Sequence, residues 1–215
     1  MNKITIALFA VLTLFVSACH MPGIRGNGDV VSDQRVITEV SEIDAGGTFE
    51  IEWRNAPPAL TITTDKNLLP HIEHRISGDT LRLRTKEQLR PTDGIKVVVS
   101  SSAIRGVDIR GAVRFMAKQI SGPKFYFQSH GASRITLEGT VEELLGDMTG
   151  ATKLMAEGLK TKRAQLSATG ASKADIFVSE TLKVSITGAG KVTYSGNPKT
   201  VEPHITGAGS VRAKD

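Results

Sequence analysis

Residues 186–192 read ITGAGKV and residues 205–211 read ITGAGSV. Working back toward the N-terminus, the same pattern returns as ATGASKA at 168–174, MTGATKL at 148–154, SHGASRI at 129–135 and IRGAVRF at 109–115. The glycines of the six copies are Gly111, Gly131, Gly150, Gly170, Gly188 and Gly207, separated by steps of 20, 19, 20, 18 and 19 residues. Near-constant spacing over six copies marks an internal structural repeat. Two places before the glycines stand Ile109, Ser129, Met148, Ala168, Ile186 and Ile205; four places after stand Phe115, Ile135, Leu154, Ala174, Val192 and Val211; six places after stand Ala117, Leu137, Ala156, Ile176, Tyr194 and Ala213. These mostly apolar positions alternate with polar ones, the period of a strand with one buried face. A unit of about nineteen residues buries no apolar face by itself, so successive units must stack. The pattern predicts an all-β chain wound as a single-stranded β-helix, or β-solenoid, with coils of about 19 residues and rungs about 4.8 Å apart.

Each copy then reads as strand, corner, strand and return. Glycine at the corner supplies positive φ where the chain must turn within one or two residues. The alanine that follows it in all six copies is expected to face inward at a tight corner. Thr149, Thr169, Thr187 and Thr206, one place before the glycine, are expected to form a ladder.

Residues 36–105 lack the Gly-Ala mark but carry strand patterns at Phe49–Trp53, Ala59–Asp65, Asp79–Thr85 and Ile95–Ser101. Asn55-Ala56-Pro57-Pro58 reads as a turn, and 86–94 as a loop. LLPHIEHRISGDTLRLRT (residues 68–85) reads as a hairpin closing around Ser77-Gly78. This part is expected to supply hairpin and capping strands together with the early coils. The far end, at Asp215, is expected to leave an unpaired edge open to self-association.

The first nineteen residues have their own logic. Lys3 is followed by an apolar run from Ile4 to Val16. Thirteen residues rise about 20 Å as a helix, short of a bilayer core of roughly 30 Å, so the run reads as the core of a signal peptide over residues 1–18. Val16-Ser17-Ala18-Cys19 resembles the lipobox of bacterial lipoproteins, which implies cleavage before Cys19 and acylation of its thiol and new amine. The alternative is an ordinary small-residue cleavage site with Cys19 merely next in line. Cys19 is the chain's single cysteine, which leaves no intrachain disulfide framework and no cysteine-built zinc site. His20, where aspartate would signal inner-membrane retention, favours the outer membrane of a Gram-negative envelope. Residues 19–35 are expected to be the lipidated N-terminus and a tether, flexible over the glycine-rich stretch 21–33, with the solenoid over 36–215.

Hydrophobic residues make up 40% and charged residues 23% of the 215, so the chain is neither disordered nor a multi-span membrane protein. Gly at 21 with aromatics at only 5% favours a turn-rich β structure. The net charge of +5 is mild, and no basic run suggests a specific nucleic-acid arm.

The stretches EVSEIDAGGTFEIEW (39–53), GIKVVVSSSAIRGVDIRGA (94–112) and VSITGAGKVTYSGNPKTVEPHITGAGSVRAKD (184–215) resemble the family called putative auto-transporter adhesin, head GIN domain, a domain of unknown function. The resemblance covers about Val40 to Asp215. It implies an exported, often lipid-anchored β-solenoid and brings no catalytic residues. The middle copies depart from the family's common Gly-Ser-Gly by using Gly-Ala-Ser or Gly-Ala-Thr.

Three places after the glycines stand Arg114, Arg134, Lys153, Lys173 and Lys191, then Ser210. If the coils stack in register, five cations form one line with about 5 Å between neighbours. Like charges so placed are mildly destabilising, which points to a polyanion partner such as lipopolysaccharide phosphate, an acidic glycan or extracellular DNA. The structural alternative is a solvated face that keeps the solenoid soluble.

No nucleophile elbow and no cofactor motif is present. His71 and His74, three apart on a strand, would diverge, so no metal site is assigned. Glu138 and Glu157 share an offset and would stand about one rung apart, a spacing that by itself fits a retaining glycosidase, though aromatic sugar platforms are scarce. Phe125 and Phe127 are expected in the core with Tyr126 exposed, and Trp53 in the core. The leading expectation is a non-enzymatic, adhesin-like envelope lipoprotein that binds an anionic glycan, lipopolysaccharide or a protein. A periplasmic scaffold is second, a carbohydrate-active enzyme third.

Overall fold

The computed structural model describes residues 23–214. In chain order the strands are β1 (Ile24–Arg25), β2 (Val30–Arg35), β3 (Glu42–Gly47), β4 (Glu50–Asn55), β5 (Ala59–Asp65), β6 (Ile72–Ser77), β7 (Thr80–Thr85), β8 (Leu89–Arg90), β9 (Lys96–Ser101), β10 (Gly106–Gly111), β11 (Arg114–Gly131), β12 (Arg134–Gly150), β13 (Lys153–Gly170), β14 (Lys173–Gly188), β15 (Lys191–Ser195), β16 (Thr200–Gly207) and β17 (Ser210–Ala213). One 3-10 turn, Leu69–His71, lies between β5 and β6.

From β10 onward all strand pairs between successive coils are parallel, as a β-solenoid requires. Strands β11 to β14 are 16 to 18 residues long because each wraps most of a coil. The coil turns at the Gly-Ala corner and again at a bulge, where the register shifts after Ala117, Thr136 and Ala156. The residues before each glycine form one face and those after it a second.

The glycines stack on one another, Gly111 on Gly131, then Gly150, Gly170, Gly188 and Gly207. Their φ values run from 101° to 126°. A Cβ on Gly150 would lie 2.6 Å from the carbonyl oxygen of Gly131, so close stacking as well as positive φ excludes a side chain there.

The alanine after the glycine is not inward. Ala112, Ala132, Ala151, Ala171, Ala189 and Ala208 are all exposed. The inward corner position is the next one, held by Val113, Ser133, Thr152, Ser172 and Gly190. Two residues follow the glycine before the second face begins, and the second of them turns back toward the core. Buried hydroxyls there find partners: Ser133 and Ser172 donate to the carbonyls of Gly111 and Gly150 at 3.3 Å, and Thr152 Oγ1 lies 2.8 Å from Ser129 Oγ. The threonine ladder is present, with Thr149, Thr169, Thr187 and Thr206 in register on the outside.

The apolar columns build a continuous core. Phe115, Ile135, Leu154, Ala174 and Val192 stack in register, each buried. Phe125 and Phe127 are buried, and so is Trp53, at 2% exposure, with its indole N–H donating to Ser101 Oγ at 2.7 Å. In the last coil Ile205 is 39% exposed, since no described coil covers it.

The N-terminal coils are out of sequence order. Strands β3 and β4 form the coil beneath β10 and β11. Beyond them, farther from the repeats, lies a coil made of β7 and β9, which come later in the chain yet pair in parallel with β3 and β4. Antiparallel strands then close that end: β6 on β7, β5 on β9 and β2 on β5. The hairpin around Ser77-Gly78 and the capping role of this region are thus both seen.

The flexible tether expected over 21–33 is corrected for its described part. Strand β1 pairs with β8, and β2, from Val30, joins the cap. The physical reason is Asp65, a buried carboxylate at 0% exposure that accepts hydrogen bonds from Gly28 N at 2.7 Å, Thr92 N at 2.8 Å and Thr92 Oγ1 at 2.8 Å. These bonds hold its pKa below the usual carboxylate range. Asn67 adds bonds to Arg25 and Asn27. Glycine at 26 is required, since a Cβ there would lie 2.3 Å from the Asp65 carboxylate.

Candidate functional site

The five predicted cations stand in one line. Arg114 pairs in register with Arg134, Arg134 with Lys153, Lys153 with Lys173 and Lys173 with Lys191. Each opens the second face, three places after the corner glycine, where alternation turns the side chain outward while the next residue, Phe115 in β11, enters the core. The line continues past Arg114 through Glu50 to Lys96 and ends at Ser210.

Its charges are not equally engaged. Arg114 is ion-paired with Glu50, and Lys173 lies 3.5 Å from Asp175. Lys96 is bound to Asp93 at 2.7 Å. Among the described residues, Arg134, Lys153 and Lys191 have no ion-pair partner. The column is flanked by two shallow grooves. One, of about 410 Å³, runs over the exposed alanines Ala112, Ala132 and Ala151. The other, of about 530 Å³, runs on the far side past Met116 and Met155. The sequence reading missed this second groove, although an apolar residue two places after a ladder cation, on the same outward face, is its visible signal.

The other candidates separate from the column. Glu138 and Glu157 fall at the bulges, where the register shifts, and each faces a lysine: Lys118 at 3.5 Å and Lys214 at 2.5 Å. His71 contacts Glu87 at 2.7 Å from the 3-10 turn, whereas His74 lies 3.1 Å from Arg35, so the two imidazoles belong to different surroundings. Burial and the nearby Arg35 charge push the His74 pKa down. Among the described residues no group of three His, Cys, Asp or Glu is placed to hold a metal ion. Tyr126 is not fully exposed as expected: its ring packs over Gly106, where a Cβ would lie 2.3 Å away. Burial and a hydrogen bond to Glu42 raise its pKa. Cys19 and residues 1–18 lie outside the described residues.

The family described as putative auto-transporter adhesin, head GIN domain, matches residues 39–198. The chain belongs to this family. No curated protein matches the chain. Among solved structures, a putative adhesin from Bacteroides fragilis is similar with a TM-score of 0.73 at 19% identity, covering 89% of this chain and 100% of that one. A putative lipid binding protein from Parabacteroides distasonis has a TM-score of 0.56 at 18% identity, covering 90% and 100%. A putative adhesin from Parabacteroides merdae has a TM-score of 0.50 at 19% identity, covering 90% and 99%. At these identities the likeness establishes the head GIN solenoid fold and no ligand.

Proposed function

We propose that this head GIN protein is a non-enzymatic binding module of the bacterial cell envelope, exported and anchored by acylation at Cys19, that holds anionic polymers along its basic column. The observation that carries the reading is the register. Five cations separated in sequence by 18 to 20 residues lie on adjacent strands of one outward face. Four rung intervals of about 4.8 Å make a line roughly 19 Å long, and a chain of sulfates, phosphates or uronates lying along it meets one cation per rung. Membership of an adhesin-named family, and structural neighbours described as adhesins and a lipid binding protein, support binding over catalysis.

The test uses dextran sulfate, a polyanion without an apolar part. The double variant Lys153→Glu/Lys173→Glu is expected to bind it ~tenfold more weakly at low salt, and the wild-type affinity to fall steeply as salt rises. Lys66→Glu/Lys199→Glu, an equal change of net charge away from the column, is expected to lose far less. Unchanged binding by the first pair, or an equal loss with the second, overturns the proposal.

A further inference from the structure

The groove on the far side of the column adds a second chemistry to the first. Two residues past Arg114 on the same outward face is Met116, 40% exposed. In register with it on the following coils come Thr136, Met155 and then Asp175, whose carboxylate lies 3.5 Å from Lys173, and on the preceding ones Glu52 and Val98. Glu52 lines the groove beside Met116 with its charge paired. Its carboxylate is taken by Arg54 at 2.8 and 2.9 Å, and that guanidinium holds its pKa down. Between Glu52 and Asp175 lies a short strip of Met116, Thr136 and Met155, running parallel to the cations, roughly 7 Å from them by the rise of two strand residues.

Exposed large hydrophobic side chains are few among the described residues: Val30, Val36, Met116 and Ile205. Val30 and Val36 sit in or next to the N-terminal cap and Ile205 in the last coil, so Met116 is the one within the stacked repeats. It stands on the rung of Arg114, beside that of Arg134, and Met155 stands on the rung of Lys153; Arg134 and Lys153 are the two of these cations without ion-pair partners among the described residues. Methionine is flexible and polarisable and suits a surface that must take irregular apolar chains. A polymer of charged sugars would leave this strip unused.

We infer that the groove beside the column binds an anionic phospholipid, with the phosphate on Arg134 and Lys153 and the acyl chain laid along Met116 and Met155. This rests on the anion-binding reading of the column and adds an anionic ligand held by two of its five cations. The geometry matches each part of such a molecule: cations for the head, and an apolar strip one side-chain pair away for the tail.

The probes are dihexanoyl phosphatidylglycerol below its micelle concentration and dextran sulfate, each titrated into the unacylated Cys19→Ser chain carrying isotope-labelled methionine methyls. Phosphatidylglycerol is expected to shift the methyl signals of Met116 and Met155 saturably and leave that of Met148, which is in the core, in place. Met116→Ser/Met155→Ser is expected to weaken phosphatidylglycerol about tenfold, the loss of apolar contact from two side chains, and to leave dextran sulfate binding within twofold. Arg134→Glu/Lys153→Glu is expected to weaken both ligands. Still methyl signals, or full phosphatidylglycerol affinity in the methionine variant, overturn the lipid inference while dextran sulfate binding that depends on Arg134 and Lys153 leaves the column reading standing. Dextran sulfate binding insensitive to the charge variant refutes the column reading itself.

Discussion

Replacing Gly150 by alanine separates the two reasons for glycine at the corners. Its φ of 107° is one an L-residue rarely adopts, at a cost on the order of 1–3 kcal/mol. Its Cβ would also stand 2.6 Å from Gly131 O, where real Cβ atoms essentially never come closer than 3.0 Å. Relief requires the coils to part locally by a few tenths of an ångström. The oxygen that must move is the acceptor for Ala151 N at 2.9 Å, a bond whose loss costs about 1 kcal/mol. Together these give about 2–4 kcal/mol. For a domain of this size each kcal/mol lowers Tm by about 2–4 °C, so Gly150→Ala is expected to melt roughly 5–15 °C lower in far-ultraviolet circular dichroism. Gly122 is the control. Its φ is 141°, but an added Cβ meets nothing within 4 Å, so Gly122→Ala carries only the backbone cost, about 1–2 kcal/mol. Equal shifts for the two variants would refute the claim that rung-to-rung contact excludes a side chain. No shift in either would refute the corner reading altogether.

Two further outcomes follow from the N-terminal region. Asp65→Asn is expected to lower Tm at pH 7 and to speed proteolysis of residues 24–29; because folding lowers the Asp65 pKa, its stabilisation is full above the unfolded value near 3.9, shrinks as pH falls below it and is lost only as pH passes through the lower folded value, so a gap from wild type that persisted undiminished at pH 3 would contradict the role given to its charge. Cys19→Ser is expected to abolish metabolic acyl labelling and to release the chain into the soluble periplasmic fraction, and unchanged membrane association would show that something other than the acyl anchor holds it there.

The repeats were legible because a solenoid makes sequence offset equal to spatial column. Once Gly111 to Gly207 are aligned, the position four places on must stack Phe115, Ile135, Leu154 and Ala174, and it does. The same rule placed the cations. It failed at the corner, where the alternation between faces is interrupted: two residues, not one, separate the glycine from the second face, and Ala132 points out while Ser133 points in. It failed again before residue 105. Gly47 is the corner of the coil beneath Gly111, but 64 residues separate them, and the chain between leaves to build a coil and a cap on the far side. Period cannot reveal a neighbour that distant. Nor did composition separate the polar stretch 24–29 from a tether, because its order comes from Asp65, Asn67 and Thr92, all remote in sequence.

The case for a functional column gains from comparison with the other outward columns of the same solenoid. On the face before the glycine, Tyr126, Leu145, Gln165, Lys183 and Glu202 stack in register. There the chain mixes an aromatic, an aliphatic, an amide and a cross-coil ion pair, Lys183 with Glu202 at 3.2 Å. The neighbouring column of Gln128, Asp147, Ser167, Ser185 and His204 is equally mixed. An outward position in this fold therefore accepts nearly any polar residue and places opposite charges side by side without difficulty. At the column that runs from Lys96 through Glu50 to Arg114 and on, the chain repeats one sign of charge five times in succession from Arg114. Two unit charges about 5 Å apart in water repel by roughly 0.8 kcal/mol, less where long side chains fan apart; Arg114 and Lys173 offset part of this by pairing with Glu50 and Asp175, whereas Arg134, Lys153 and Lys191 have no ion-pair partner among the described residues. Packing does not require cations there, and solubility is served as well by mixed columns. A line of like charge is what the proposed binding of an anionic polymer would use.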